Sequence, residues 1–117
     1  MNIEAYRNYC IAKKGVTESF PFDDRVLVFK VGGKMFALID IEDLDFVNLK
    51  CDPELAIELR ERYPAVRPGY HMNKQQWNSV YLNEGLPEDL IYEWTNHSYD
   101  LIFLSLPKKK QAEVLAE

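Results

Sequence analysis

The chain has 117 residues, of which 47% are hydrophobic and 13% aromatic, and this suits one domain, residues 1–117, built around one core. Its net charge of −5 excludes the strongly basic composition that marks many nucleic-acid-binding proteins. No apolar run approaches the roughly 20 residues of a membrane-spanning helix, and the N-terminus lacks the basic and apolar regions of a signal peptide. We therefore expect a cytoplasmic protein without a membrane partner, and we expect a monomer.

The first predicted element is a helix that begins after the capping residue Asn2 and ends near Gly15. Ile3, Tyr6 and Cys10 recur along it at helical spacing. The following segment, residues 16–24, mixes aromatic residues with turn formers and a proline. It is predicted to be an ordered loop whose phenylalanines pack inward.

A three-stranded meander is predicted next. Residues 26–31 and 34–41 are β-branched and aromatic runs separated by Gly32-Gly33, which predict a tight antiparallel hairpin. An acidic turn then leads into a third strand, residues 46–51. Its alternation predicts a wet face with Phe46, Asn48 and Lys50 and a buried face with Val47, Leu49 and Cys51.

The second half of the chain is predicted to hold two more helices and two more strands. Asp52-Pro53 starts a short helix that ends near Tyr63, and Pro87 starts a long one that reaches Leu106. Between them, residues 66–71 suit a sheet edge because of Pro68, and residues 77–82 alternate as a strand. The lysines after Pro107 are predicted to open a polar tail. The fold class is therefore α+β, an antiparallel sheet packed against helices.

Catalytic and metal-binding constellations are not recognisable in the sequence. Neither His71 nor His97 has a partner at metal-site spacing, and the two cysteines, Cys10 and Cys51, are expected to be buried reduced thiols. The acidic turn at residues 40–45 could attract a hard cation, but it lacks the glycine of a calcium loop, which favours a solvated turn. We therefore expect no enzyme, no cofactor and no metal.

Basic residues are more informative because of their positions. Between residues 60 and 82 the cations are Arg60, Arg62, Arg67 and Lys74 against Glu61, interleaved with Tyr70, Trp77 and Tyr81. Such a combination suits contact with a nucleic-acid backbone or bases. An ordinary solvated surface above core aromatic residues explains it as well. Lys30 and Lys34 flank the hairpin turn, and whether Lys50 joins them depends on strand register.

Several motifs together resemble the MmcQ/YjbR family of small bacterial proteins across nearly the whole chain. They are Phe20-Pro21-Phe22, residues 29–37, Leu49-Lys50-Cys51, residues 63–66, His71-Met72-Asn73-Lys74 with Trp77, residues 98–101 and residues 106–109. The resemblance implies a double-wing fold, similar also to the CyaY-like frataxin fold, and it implies DNA binding.

The resemblance, read with the basic residues, gives five candidate nucleic-acid-binding residues. They are Lys30, Lys34, Lys50, Arg67 and Lys74. Trp77 is expected to pack against the helix that carries Ser98 and Tyr99. The alternative is a non-catalytic module that binds a protein or a ligand through the exposed sheet face or the Pro68-Gly69 edge.

Overall fold

The computed structural model describes all 117 residues, which form six strands and four helices. In chain order the elements are α1 (Ile3–Ile11), β1 (Val16–Ser19), β2 (Val26–Val31), β3 (Lys34–Asp40), β4 (Phe46–Lys50), α2 (Pro53–Arg62), β5 (Val66–Pro68), β6 (Trp77–Tyr81), α3 (Glu88–Ser105) and α4 (Lys108–Leu115). None of the helices is long and apolar enough to span a membrane.

One antiparallel sheet organises the molecule, with strand order β1-β2-β3-β4-β6-β5. The main core lies between this sheet and the helices, where Tyr6, Phe29, Phe36 and Ile91 are completely or almost completely buried. We call this surface of the sheet the helix side and the opposite surface the outer face. The α+β class with helices packed on an antiparallel sheet is confirmed.

Local signals at turns and helix starts are confirmed. The Asn2 side chain accepts hydrogen bonds from the backbone N–H groups of Glu4 and Ala5, and Asp52 accepts one from Leu55. Gly32 and Gly33 both have positive φ, 59° and 84°, and join β2 to β3. These features could be predicted because each depends on a few adjacent residues.

The loop predicted for residues 16–24 is wrong in its first half, because Val16–Ser19 forms strand β1. Val16 pairs with Val31 and Ser19 with Val28, so β1 supplies hydrogen-bond partners to the outer edge of β2. A four-residue strand is too short to show a periodic pattern in the sequence. The phenylalanines do not pack inward either, since Phe20 is 44% and Phe22 65% exposed.

The polar tail predicted after Pro107 is also wrong, because Lys108–Leu115 forms α4. Three lysines in its first turn oppose the helix dipole, and no side chain caps it. A tertiary contact stabilises the helix instead. Val114 is buried against the backbone of Gly15, where an added Cβ would lie only 2.8 Å from Val114 Cγ1.

Trp77 does not pack against α3. It is the register partner of Lys50, and its side chain lies on the outer face in a small cluster with Val28 and Leu38. Val80, three residues later, faces the helix-side core, so alternation along β6 turns Trp77 away from the helices. Asn48 is buried on the same outer face, so the face of β4 that was predicted to be solvent-exposed is exposed only in part.

Candidate functional site

The candidate cations on the three central strands lie on different faces of the sheet. Lys30 pairs with Met35 and Lys50 with Trp77, which places both lysines on the outer face. Lys34 pairs with Val31, a residue of the main core, and therefore lies on the helix side at the hairpin turn. The register thus separates Lys34 from Lys30 and Lys50.

Arg67 and Lys74 are held by neighbours within the protein. The Arg67 guanidinium donates to Glu84 at 2.6 Å and stacks over the Tyr81 ring at 4.0 Å. Lys74 Nζ donates to the backbone carbonyl of Gly69 at 2.8 Å. The five candidates therefore do not all lie on one face of the sheet, and two of them are engaged by neighbours within the protein.

Other lysines, which the sequence did not associate with the hairpin, are brought to it by the packing of Leu106. The Leu106 side chain covers Gly32, where an added Cβ would lie 2.5 Å from Leu106 Cδ1. The first turn of α4 follows directly with Lys108 and Lys109. We call Lys30, Lys34, Lys108 and Lys109 the basic end, because they share this end of the strands although Lys30 is on the outer face and Lys34 on the helix side. None of the four forms an ion pair or a side-chain hydrogen bond, whereas Lys110 lies 3.6 Å from Glu113.

Acidic residues gather at the opposite end of the same strands, where β3 ends and β4 begins. We call Asp40, Glu42, Asp43 and Asp45 the acidic end. Arg25 lies within 3.2 Å of the first three carboxylates, and Asp45 has no ion pair. Partial burial opposes ionisation of Asp40, but backbone N–H donors from Asp43 and Glu42 and the Arg25 guanidinium lower its pKa overall. Charge is therefore separated along the strands.

A pocket of about 680 Å³ opens on the outer face at the acidic end. Leu38 lies at its floor with Asn48 beside it, and Phe22 and residues 70–73 border it. Its other lining residues are Val26, Met35, Asp40, Asp43, Asp45 and Phe46. No lysine or arginine lines it.

Hydrogen bonds hold the segment that forms one wall of this pocket. Ser79 Oγ donates to Asn48 Oδ1 at 2.5 Å and accepts from the backbone N–H of Tyr70 at 2.8 Å. Asn48 Nδ2 donates to the Tyr70 carbonyl at 3.1 Å. The adjacent His71 has a φ of 59°, a left-handed conformation uncommon outside glycine. The wall is thus fixed to the sheet by buried polar side chains.

Groups that could react or bind metal are few. No group of three or more His, Cys, Asp or Glu residues is placed to hold a metal ion. Both cysteines are buried and unpaired, and burial raises the pKa of Cys10 to about 12 and that of Cys51 to about 11. His97 Nε2 accepts a bond from the backbone N–H of Asp52 at 3.3 Å. His97 and the two thiols are thus engaged or buried within the fold.

The chain is similar to several bacterial proteins. A family model described as YjbR matches residues 11–101. The uncharacterized protein YjbR of Escherichia coli K12 is 38% identical over 112 residues, 95% of each chain. The uncharacterized protein YbdF of Escherichia coli O157:H7 is 41% identical over 96 residues, 81% of this chain and 79% of YbdF.

Two solved structures resemble the fold closely. The crystal structure of Deinococcus radiodurans DR2400, described as a DUF419 domain, has a TM-score of 0.90 and 38% identity over 97% of this chain and 87% of its own. A crystal structure of a Pseudomonas syringae protein has a TM-score of 0.73 and 30% identity, covering 87% of this chain and 99% of its own. The architecture described above is therefore shared with homologous proteins.

Proposed function

We propose that this chain, which belongs to the YjbR family, is a non-catalytic DNA-binding protein. Resemblance to this family implies a double-wing fold and DNA binding. The basic end contacts the phosphate backbone, and the protein acts as a monomer. The observation that carries the proposal is the gathering of four unpaired lysines around the hairpin turn in a chain of net charge −5.

The distance between the two charged ends supports phosphate binding despite the negative net charge. Lys34 and Asp40 stand at opposite ends of β3, and a strand rises about 3.3 Å per residue, so roughly 20 Å separates them. This exceeds the Debye length of about 8 Å at physiological ionic strength. A phosphate at the basic end therefore experiences mainly the field of the nearby lysines.

The proposed contacts are to phosphate and carry no sequence preference. Lysine is a flexible point charge without the planar fork of arginine, which suits it to phosphate, and phosphate contacts carry no direct sequence information. If all four lysines of the basic end displace counterions, log K falls with log salt concentration with a slope of about −3.6. Lys50 forms no ion pair and is a further candidate on the outer face.

Duplex titration at low salt, followed by fluorescence anisotropy, tests the proposal. We expect binding at roughly micromolar to 100 µM protein that weakens steeply as salt rises. Lys34→Glu and Lys108→Glu should each weaken it, and the double variant should abolish it. The matched control is Arg62→Glu on α2, an exposed residue in no ion pair, which changes the net charge equally at a distant site. No binding at low salt, or equal weakening by Arg62→Glu, would contradict the proposal.

A ligand-interaction module is the second candidate. The outer-face pocket favours it, because a cavity of about 680 Å³ falls within the range of about 300–1,000 Å³ found for small-molecule sites. This role does not require the basic end. The two candidates are therefore separable by substitutions at opposite places in the molecule.

A further inference from the structure

We propose that the outer-face pocket binds a small organic cation, in which an apolar or aromatic body carries a protonated or quaternary amine. The inference deepens the second candidate, the ligand-interaction module, and is independent of DNA binding. Three properties of the lining support it: the apolar floor, the aromatic walls and the uniform sign of the charged groups.

The floor of the pocket offers apolar surface on a rigid base. Leu38 is buried on the central strand β3 and packs with Val28 and Trp77 in the outer-face cluster. Met35 and Met72 are partly buried against that cluster and line the pocket beside Leu38. Methionine side chains adapt to the shape of an apolar ligand. A preformed apolar floor of this kind suits the body of a small molecule.

The walls of the pocket expose aromatic rings to solvent. Phe22 is 65% and Tyr70 56% exposed, and Phe46 lies 5.9 Å from the Tyr70 ring in an edge-on arrangement. Exposed aromatic residues that face one cavity are typical of binding sites rather than of ordinary surface. Aromatic faces attract cations through the ring quadrupole, most strongly when the cation is poorly hydrated, as amines with apolar substituents are.

The charged groups in the lining all have the same sign. Asp40, Asp43 and Asp45 line the pocket, and no lysine or arginine does. Arg25 compensates part of this charge, but it is shared among Asp40, Glu42 and Asp43. Asp45 has no cationic partner and is exposed. An anionic ligand would be repelled here, whereas an ammonium group gains both carboxylate and aromatic partners.

One fixed polar group lies beside the apolar floor. The Asn48 amide uses one N–H on the Tyr70 carbonyl and accepts from Ser79, and an amide has two N–H donors. Its second N–H has no protein partner, although the side chain is buried and lines the pocket. A ligand that carries an acceptor next to its ammonium group would satisfy this donor.

Three probes that share one aromatic body and differ in charge test the inference: tryptamine, tryptophol and indole-3-propionate. Binding is measured by ¹H–¹⁵N shift perturbation on the full chain, with dissociation constants from the titration. We expect tryptamine to bind at least about five-fold more tightly than tryptophol, and indole-3-propionate to bind most weakly. The largest shifts should fall on residues 38, 46–48 and 70–73.

A substitution that removes one lining charge tests the role of the carboxylates. Asp45→Asn should weaken tryptamine binding about three-fold and leave tryptophol binding unchanged, because the exposed side chain of Asp45 forms no hydrogen bond or ion pair that the substitution would break. The matched control is Glu61→Gln on α2, an exposed residue in no ion pair, which should change neither affinity. Lys34→Glu should also leave tryptamine affinity within about two-fold, whereas it weakens DNA binding.

The probe titrations can contradict the inference in three ways. Equal or tighter binding of tryptophol or the carboxylate in the pocket would keep a ligand-interaction module but overturn the cation class. Absence of pocket shifts with all three probes at millimolar concentration would overturn the site. A concentration-dependent dimer with shifts at these residues would assign the pocket to a second copy of the chain and overturn the inference. A failed DNA titration would overturn the proposed DNA binding and is read separately from these pocket measurements.

Discussion

The side-chain hydroxyl of Ser98 on α3 accepts a hydrogen bond of 2.9 Å from the backbone N–H of Lys50 on β4. The same hydroxyl donates to the backbone carbonyl of Phe36 on β3 at 2.5 Å. Beyond the last paired residues, Ala37 and Leu49, these strands leave backbone groups without a ladder partner. One serine on α3 therefore bridges β3 and β4 where their backbones are no longer paired, and it holds the end of β4 at Lys50.

Removal of this hydroxyl is expected to destabilise the protein measurably. Ser98→Ala leaves a backbone N–H and a backbone carbonyl without their partner in a completely buried place, and we expect a loss of about 1–3 kcal/mol. Urea unfolding measures it. Ser105→Ala is the control, because Ser105 is exposed and bonds only to Ile102 in the same helix. Equal losses in the two variants would contradict the bridging role of Ser98.

The two turn glycines should respond differently to alanine. Both have positive φ, so each alanine variant carries roughly 1–2 kcal/mol of left-handed strain. An added Cβ at Gly32 would also lie 2.5 Å from buried Leu106, whereas nothing lies within 4 Å at Gly33. Gly32→Ala should therefore cost about 1–3 kcal/mol more than Gly33→Ala. Thermal unfolding of both variants is the measurement, and similar costs would mean that Leu106 yields freely.

Arg60 is expected to be structural although it lies in the basic segment that suggested DNA contact. Its guanidinium donates to Asn78 Oδ1 at 2.7 Å, to the Trp77 carbonyl at 3.1 Å and to the Lys74 carbonyl. Arg60→Met keeps the aliphatic stem but leaves the buried Asn78 amide oxygen unpaired, at a cost of roughly 2 kcal/mol.

Urea unfolding of Arg60→Met, with Arg62→Met as the control, tests this role. Arg62 is exposed and contacts only the Tyr63 ring. Hydrogen exchange of residues 73–77 should accelerate in Arg60→Met alone, because the bonds to the Lys74 and Trp77 carbonyls are lost. Unchanged exchange would show that the segment is held by other contacts.

Acid should destabilise the protein in part through the acidic end. Backbone N–H donors and Arg25 lower the pKa of the Asp40 carboxyl, and backbone N–H groups of Val26 and Arg25 lower that of Asp23. A carboxyl whose folded pKa lies below its unfolded value stabilises the protein above the unfolded pKa, about 3.8 here. That contribution is lost as pH falls through the folded pKa.

We expect the Asp40→Asn variant to lose less stability than the unchanged protein as the pH falls from about 5 to about 2. Denaturation at several pH values measures this loss. The amide oxygen that this substitution introduces can still accept the N–H groups of Glu42 and Asp43 that Asp40 Oδ1 accepts now, so the turn is kept. Asp24→Asn, at an exposed residue without an ion pair or hydrogen bond, should follow the unchanged protein. Parallel curves for all three would refute the role of Asp40.

The cysteines should be unreactive in the folded protein. Burial raises the pKa of Cys10 to about 12 and that of Cys51 to about 11, so little thiolate forms at about pH 8. We expect a thiol-specific disulfide reagent to label both cysteines rapidly in urea and neither rapidly under native conditions. Rapid native labelling of Cys10 would imply local opening of α1.

Several elements followed from the sequence because their causes are local. The caps at Asn2 and Asp52, the Gly32-Gly33 turn and the edge position of the strand with Pro68 each depend on the residue itself and its nearest neighbours. The family resemblance came from the same short motifs in order. The basic end could not be predicted this way, since Lys34 and Lys108 come to the same end of the sheet only when Leu106 packs on Gly32.

Sequence alone determined the α+β class, the central hairpin and the helix starts, because backbone conformation and alternation are encoded within a few residues. Tertiary structure decided the rest. It placed Trp77 on the outer face, made a strand of Val16–Ser19 by pairing it with β2, and stabilised α4 through Val114. It also brought Lys108 and Lys109 to the hairpin end of the sheet and formed the pocket on the outer face. The physical reason is that register and packing join residues that are distant in the chain, and only the folded sheet fixes both.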